Sequence, residues 1–460
     1  MSINSKENIN SNNKGSFLWR FSKNFQFAAD KIIPDSFVFC IILTLIVFVL
    51  GLVVTGTGPI TLINSWYGGL WSMISFAFQM SFMVICCGAA AKSPQVEKIL
   101  KKVASLPKSR ATAMVILLVF GLASSLINWA FSLILTPILA MQLSKNVKGM
   151  HFPLMIAAGY STMILGQSWC PSASAYALLA TEGHFLADKI GVIPQNLTTY
   201  NPVNTVLFFT LAVVTILIGI MTKPPKHEVV SYEGYKEEVH EEAVIENMTP
   251  ADKMNNNKVL MYILGIAGII VIGYSFATKG FIGSLNFNFV IFLFLTLNTF
   301  LYNTPIKFVG AFKDAIQPAT QVMLQFPFYG GIMGIMSGSG LTAVMANGLI
   351  QVATATTMPF FAYLSASIVN LFVPSQGGQW IIQGPVLVEA SQALNAHIPT
   401  IVNAFILGDE ATNLIQPLYV IPALALVNIK LKEVWGFMAF IWFIWAIVTT
   451  IGLLVLPGII

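Results

Sequence analysis

Two apolar stretches of this chain, residues 110–143 and 357–396, are each too long for one membrane crossing, and polar residues break each near its middle. The first break holds Asn128 and Ser132; the second holds Asn370, Pro374, Ser375, Gln376, Gly377 and Gly378. A spanning helix needs about 20 apolar residues, so each stretch is expected to fold back on itself as a re-entrant hairpin. Unwound backbone at that depth is tolerated only where protein or a watered cavity satisfies its polar groups. Nine further apolar runs, at about 36–55, 71–91, 152–181, 200–222, 257–275, 286–303, 315–337, 399–428 and 435–457, suit one crossing each. Only 9% of the residues are charged against 56% hydrophobic, whereas a soluble domain carries about a quarter charged. A disordered chain, a disulfide-stapled secreted domain and a nucleic-acid binder are excluded at this step. The expected class is an all-α polytopic membrane protein with about nine spanning helices plus two hairpins.

The chain also repeats itself. At an offset of 246 residues, Gln79 falls on Gln325, Gly88 on Gly334, Ser93 on Ser339, His151-Phe152-Pro153 on His397-Ile398-Pro399, and Pro171 on Pro417. Between these, Ser125 and Asn128 match Ser367 and Asn370 at an offset of 242. The matches are individually weak, but they occur in order and nearly in register. The organisation they predict is a cytoplasmic or interfacial segment 1–33, a membrane repeat 34–222, an acidic cytoplasmic loop 223–256, a linking helix 257–281 and a second repeat 282–460.

Lysine and arginine test the topology. With the N-terminus inside and both long stretches treated as hairpins, the inside segments hold 22 of the 24 basic residues, leaving only Lys189 and Lys279 outside. The positive-inside rule counts Lys and Arg rather than net charge, so the eight acids of 223–256 do not oppose it. One extra crossing at 257–275 makes the two repeats inverted and puts the C-terminus outside. The same basic bias accounts for the net charge of +5 without an acidic partner. Cys40, Cys86, Cys87 and Cys170 sit in apolar runs with no metal or redox spacing and read as packing residues. Residues 1–16 are hydrophilic, with no cleavable leader pattern. Phe17, Phe21 and Phe25 beside Trp19, Arg20 and Lys23 suggest an interfacial helix, and 95–107 suggests an interfacial arm.

Inverted repeats with broken helices are the architecture of secondary transporters, which bind substrate at the repeat interface near mid-membrane. Beside the two hairpin tips, two more breaks qualify: Gly166 to Ser174, with Ser168 and Ser172, and Gly408 to Pro417, with Asp409, Glu410 and Asn413. Freed carbonyls and Asn or Ser oxygens are hard ligands suited to a small cation, and half-helix N-termini suit an anion. The only arginines, Arg20 and Arg110, lie at the membrane edge, and no lysine falls inside a span. A doubly charged substrate would ordinarily want a fixed cation. A monocarboxylate can be held by helix ends and amides, with a co-transported cation balancing its charge. Trp129, Trp169 and Trp380 stand beside the tips and could wall a short acyl chain. With no histidine deep in a span, a proton path would use Asp409, Glu410 or Glu389.

The stretch Leu324-Gln325-Phe326-Pro327-Phe328-Tyr329-Gly330, the run Asn370-Leu371-Phe372-Val373-Pro374-Ser375-Gln376-Gly377-Gly378-Gln379-Trp380-Ile381-Ile382-Gln383-Gly384-Pro385, and Asn413-Leu414-Ile415-Gln416-Pro417 resemble the short-chain fatty acid transporters of the AtoE type. Ile127-Asn128-Trp129 is similar as well. The resemblance covers about Phe17 to Val455. It implies uptake of acetoacetate, butyrate or similar acids across a bacterial inner membrane. It also implies kinship with the ion transporter superfamily, whose members are dimeric, elevator-like and cation-coupled.

On these grounds the expected substrate-binding residues are Ser168, Ser172, Ser375, Gln376, Gly377, Gly378, Trp380 and Asn413. The expected cation-binding residues are Asn128, Ser132, Asn370 and Asp409, with sodium at Asn128 and Asn370. The expected protein is a symporter, a homodimer in lipid, with no nucleic-acid partner and no cofactor beyond a co-transported sodium ion or proton. Plainer readings stay open. The asparagines and Gln79 and Gln325 could be interhelical hydrogen bonds, the serines could bond back onto their own helices, and 374–380 could be a simple turn. Asp409 and Glu410 could sit at an ordinary interface, Glu389 is left out of the site, and 223–256 reads as a solvated tether. A channel would want one continuous polar path, and an enzyme lacks a Ser–Lys pair, a buried histidine or an HExxH run in the spans. Within transporters, lactate, a dicarboxylate or an amino-acid-like substrate is the alternative.

Overall fold

The computed structural model describes residues 36–224, 229–232, 249–371, 373, 375–416 and 419–459. The expected helix around Phe17–Phe25, Pro374, Pro417 and most of the acidic loop lie outside those residues. Every regular element among the described residues is a helix. In chain order they are α1 (Ser36–Val53), α2 (Pro59–Ser72), α3 (Ile74–Ala91), α4 (Pro94–Ala104), α5 (Arg110–Ile127), α6 (Trp129–Asn146), α7 (Phe152–Gln167), α8 (Ser174–Leu179), α9 (Ala187–Ile190), α10 (Pro202–Met221) and α11 (Pro250–Asn255). There follow α12 (Lys258–Ser284), α13 (Phe287–Leu301), α14 (Pro305–Ala315), α15 (Gln317–Gly338), α16 (Leu341–Val352), α17 (Met358–Asn370), α18 (Gln376–Ala393), α19 (Ile398–Thr412), α20 (Ile421–Leu426) and α21 (Leu431–Val455).

Five of these stretches are long and apolar enough to cross a bilayer: 74–91, 110–127, 202–221, 250–281 and 431–458. The other expected crossings are shorter or broken pieces. α15 and α16, for example, meet at a bend of 76°. Both long apolar stretches fold as hairpins: α5 and α6 turn at Asn128 alone, and α17 and α18 turn at 371–375. The arm expected at 95–107 is α4.

Four features differ from the sequence reading. α2 lies largely between the expected runs 36–55 and 71–91, where the hydropathy pattern assigns no element; it is held by direct backbone packing on α15. A Cβ at Gly69 would stand 2.3 Å from the Gly330 carbonyl oxygen, and one at Gly334 would stand 2.2 Å from that of Ser65. Only glycine permits this approach, as in small-residue membrane interfaces. The uncharged segment 338–356, which follows the expected crossing 315–337 and to which the pattern assigns no element, is mostly helix α16. The break at 408–417 begins only at Asn413, since Gly408 to Thr412 stay helical. Gly377 and Gly378 are the first turn of α18 rather than unwound chain.

The repeat is legible element by element. α1 to α8 and α10 correspond to α13 to α20 and α21, with α9, α11 and α12 left over. Nearly every packing contact has its counterpart: α1 on α15 and α13 on α3, α2 on α15 and α14 on α3, α5 on α7 and α17 on α19, α4 on α6 and α16 on α18. The closest approaches are mirrored with the partners exchanged. In the first repeat the glycine is Gly121 on the hairpin, facing Thr162; in the second it is Gly408 on the broken helix, facing Tyr363.

Hydrogen bonds sort the connections onto two faces. On one, Arg110 donates to the carbonyls of Ile220 and Thr222, Asn146 to that of Ala104, and Gln95 to that of Leu301. On the other, Gln392 donates to the Lys189 carbonyl, and 201–203, 355–359, 395–400 and Pro457 share a cavity of about 460 Å³. The first hairpin therefore opens on the basic face and the second on the opposite one, which makes the repeats inverted. Part of the expected tether is docked on the basic face as well. The Phe152 amide donates to the Val230 carbonyl at 2.8 Å and the Val230 amide to His151 Nδ1 at 3.1 Å. The Tyr232 ring packs at a tilt of 58° against Phe152, with centroids 4.8 Å apart.

Candidate functional site

The two hairpin tips and the two broken helices converge, but not symmetrically. At the second tip, Asn370 ends α17 and is fully buried. Its Nδ2 points at three acceptors on α19 and just beyond: the Asp409 carbonyl at 2.8 Å, Thr412 Oγ1 at 3.0 Å and Asn413 Oδ1 at 2.9 Å. Asn413 in turn donates to Asp409 Oδ2 at 3.1 Å. Asn370 Oδ1, Asp409 Oδ1 and Glu410 Oε2 are buried and have no hydrogen-bond partner among the described residues. An unsatisfied buried polar atom costs about 1–3 kcal/mol, more if charged, so three in one neighbourhood need an explanation. Amide and carboxylate oxygens facing inward with no lysine or arginine on α17, α18 or α19 are a donor set for a small hard cation.

At the first tip, Asn128 is the one extended residue between α5 and α6 (φ −164°, ψ 136°). Its Oδ1 caps α6 by accepting from the Ala130 and Phe131 amides, and its Nδ2 donates to Ser172 Oγ at 3.0 Å. Every polar end of this side chain is engaged. Ser132 lies one turn further on, bonded to Ser124, Thr136 and the Gly121 carbonyl inside its own hairpin. Ser168 bonds back to the Leu165 carbonyl at 2.7 Å, and Ser375 caps α18 by accepting from the Gly378 amide. Gly378 is glycine because a Cβ there would meet the Tyr329 ring at 2.5 Å.

Gln376 joins the two centres. Its Oε1 accepts from the Ala175 amide at the start of α8, and its Nε2 donates to Glu410 Oε1 at 2.8 Å. Three tyrosines cross the repeat boundary beside it. Tyr160 donates to the Asn413 carbonyl, Tyr176 to Asn403 Oδ1 and Tyr419 to Gln167 Oε1. Trp380 is fully buried against Phe405. Trp169 is turned away from the tips, stacked on Phe208 and bonded to Thr205, whereas Trp129 faces Tyr419.

The structure thus brings together Asn370, Asp409 and Asn413, and separately Asn128 and Ser172, and it sets Ser132 and Ser168 into local helix bonding. Sequence reasoning did not select Thr412, Tyr176, Asn204 or Asn403. Asn204 clamps the first break through the Ser168 carbonyl at 2.6 Å. A lone amide within an apolar run was the available signal for Asn204 and Asn403; nothing in the pattern marks Tyr176.

The short-chain fatty acid transporter family model matches residues 17–456. A protein of Escherichia coli K12, named as a proposed short-chain fatty acid transporter, is 30% identical over 410 residues, covering 88% of this chain and 92% of that protein. One of Haemophilus influenzae Rd, named in the same way, is 30% identical over 429 residues, covering 91% and 94%. Among solved structures, the Alcanivorax borkumensis YdaH transporter, described as having an unusual topology, aligns with a TM-score of 0.60. That alignment covers 92% of this chain and 98% of that one at 14% identity, a likeness of fold alone.

Proposed function

The chain belongs to the short-chain fatty acid transporter family, and from that membership we propose that it is a cation-coupled secondary transporter of short monocarboxylates such as butyrate and acetoacetate, and not an enzyme. The observation that carries the coupling is the trio of unpartnered oxygens on Asn370, Asp409 and Glu410. The cation, sodium or a proton, binds there. The carboxylate then docks between the tips and the broken helices, at Ser172, the first turn of α18 at Gly377 and Gly378, and Asn413, where this closely packed arrangement must open to admit it. Absence of lysine and arginine from these elements favours a singly charged substrate over a dicarboxylate.

The loaded unit comprises the two hairpins with α7, α8, α19 and α20, and it shifts against a scaffold of α1 to α3 and α13 to α15. The reciprocal packing of α2 on α15 and of α14 on α3 supports a scaffold formed by both repeats. The basic face is cytoplasmic by the positive-inside rule, in a bacterial inner membrane, and the protein works as a homodimer. Proteoliposomes loaded against a sodium gradient or a pH gradient test this reading, with protein-free vesicles as control because protonated short acids leak. Sodium-driven or proton-driven accumulation of labelled butyrate is the expected result. No protein-dependent uptake under either gradient overturns it.

A further inference from the structure

Gln376 occupies a junction that contact with substrate does not explain. It is the first residue of α18, 6% exposed, and its amide is held at both ends: Oε1 accepts from Ala175 N at 3.0 Å, and Nε2 donates to Glu410 Oε1 at 2.8 Å. The amide has one workable orientation. Reversed, it would set its NH₂ against an N–H and its oxygen against a carboxylate. Three elements meet there: the restart of the first broken helix, the first turn of the second hairpin's inner arm, and the carboxyl pair on α19. The titratable groups facing Glu410 are Asp409, the hydroxyls of Tyr160, Tyr176 and Tyr419, and the Cys170 thiol. No lysine or arginine lies on α7, α8, α17, α18 or α19.

We infer that Gln376 is the residue through which cation occupancy of the carboxyl pair is communicated to the proposed substrate site. The inference rests on the cation-coupled reading above. While the pair carries no counter-charge, Glu410 draws its hydrogen-bond donors tightly, and Gln376 holds the first turns of α18 and α8 to it. A cation on the unpartnered oxygens weakens that pull, and both turns relax together, which opens the closely packed site proposed for the carboxylate. Coupling of this kind is reciprocal, so bound carboxylate strengthens cation binding by the same factor. Gln376 is a positioning residue in this scheme rather than a substrate ligand.

The test compares two modes of labelled butyrate transport in proteoliposomes: exchange at equal cation on both sides, and accumulation driven by a cation gradient. In Gln376→Leu, accumulation is expected to fall about tenfold further than exchange, within the usual range of coupling energies. The apparent butyrate affinity should also lose its dependence on cation concentration. Gln376→Met, of the same length, serves if the leucine variant does not insert. Parallel loss of exchange and accumulation would make Gln376 a ligand or a structural residue and overturn the inference. So would wild-type behaviour of both variants. A wild-type protein driven by neither cation overturns the coupled reading itself, an outcome visible before any variant is made.

Discussion

At the first hairpin tip Asn128 is engaged at both ends, capping α6 and bonding Ser172, while at the second tip Asn370 points at Asp409, Thr412 and Asn413 and leaves its oxygen unpartnered. The positions in register with Asp409 and Glu410 in the first repeat are Met163 and Ile164. Duplication has thus preserved how the backbone breaks while only one copy carries the charge. The difference teaches that the first tip is shaped chiefly as a helix junction, whereas the second gathers the unpartnered oxygens at which we propose the cation acts.

The largest effect that could break this comparison is expected at Asp409. Asp409→Asn should lower gradient-driven uptake by about 100-fold, near the 3 kcal/mol associated with losing one partner of a buried charged set. Its elution on gel filtration should stay unchanged. An Asp409→Asn protein that still accumulates butyrate would remove the distinction between the tips. Asn370→Ala comes next, lowering uptake by about 30-fold, or about 2 kcal/mol, in a folded, inserted protein, since three acceptors lose their donor. Uptake at the wild-type rate would count against the second tip as the cation site.

Asn128→Ala should also impair uptake, but with a stability cost of about 1 kcal/mol from the lost cap. Asn128→Asp, which keeps the cap, should recover the thermal stability but not the bond to Ser172. Equal stability of Asn128→Ala and Asn370→Ala in a melting experiment would erase that part of the contrast. The smallest effect on transport concerns the mirrored glycines, whose change falls on stability. Gly408→Ala pushes a methyl to 2.4 Å from the Tyr363 carbonyl, whereas Gly121→Ala meets the movable Thr162 hydroxyl at the same distance. Overpacking costs about 1–3 kcal/mol, so Gly408→Ala should melt lower, and Thr162→Ala should rescue only Gly121→Ala.

The hairpins, the broken helices and the inversion were legible because each leaves a mark in hydropathy or in lysine placement. α2 was not, since its cohesion comes from Gly69 meeting Gly330 and Gly334, and glycine reads as a breaker when the partner helix is unseen. Asn370, Asp409 and Asn413 were legible as polar residues where lipid forbids them. The bonds of Ser132 and Ser168 were not, because a serine looks the same whether it faces a ligand or its own helix. The exact start of the second break was hidden too. Gly408 suggests an unwound chain, yet it is there to let α19 lie against the backbone of α17.

α12 packs chiefly on one neighbour, α13, and turns most of its side chains outward. It belongs to neither repeat, yet every helix after it is inverted because it crosses once. During synthesis, the orientation of the whole second half would then be decided as this segment enters the membrane, before α13 exists to pack on it. By the positive-inside rule the charge that would hold its start on the basic face is local, Lys253 and Lys258 just ahead of the apolar run. Under the proposed mechanism, a pair of lysines far from the transport path would thereby act as an assembly instruction for a cation site some hundred and fifty residues later.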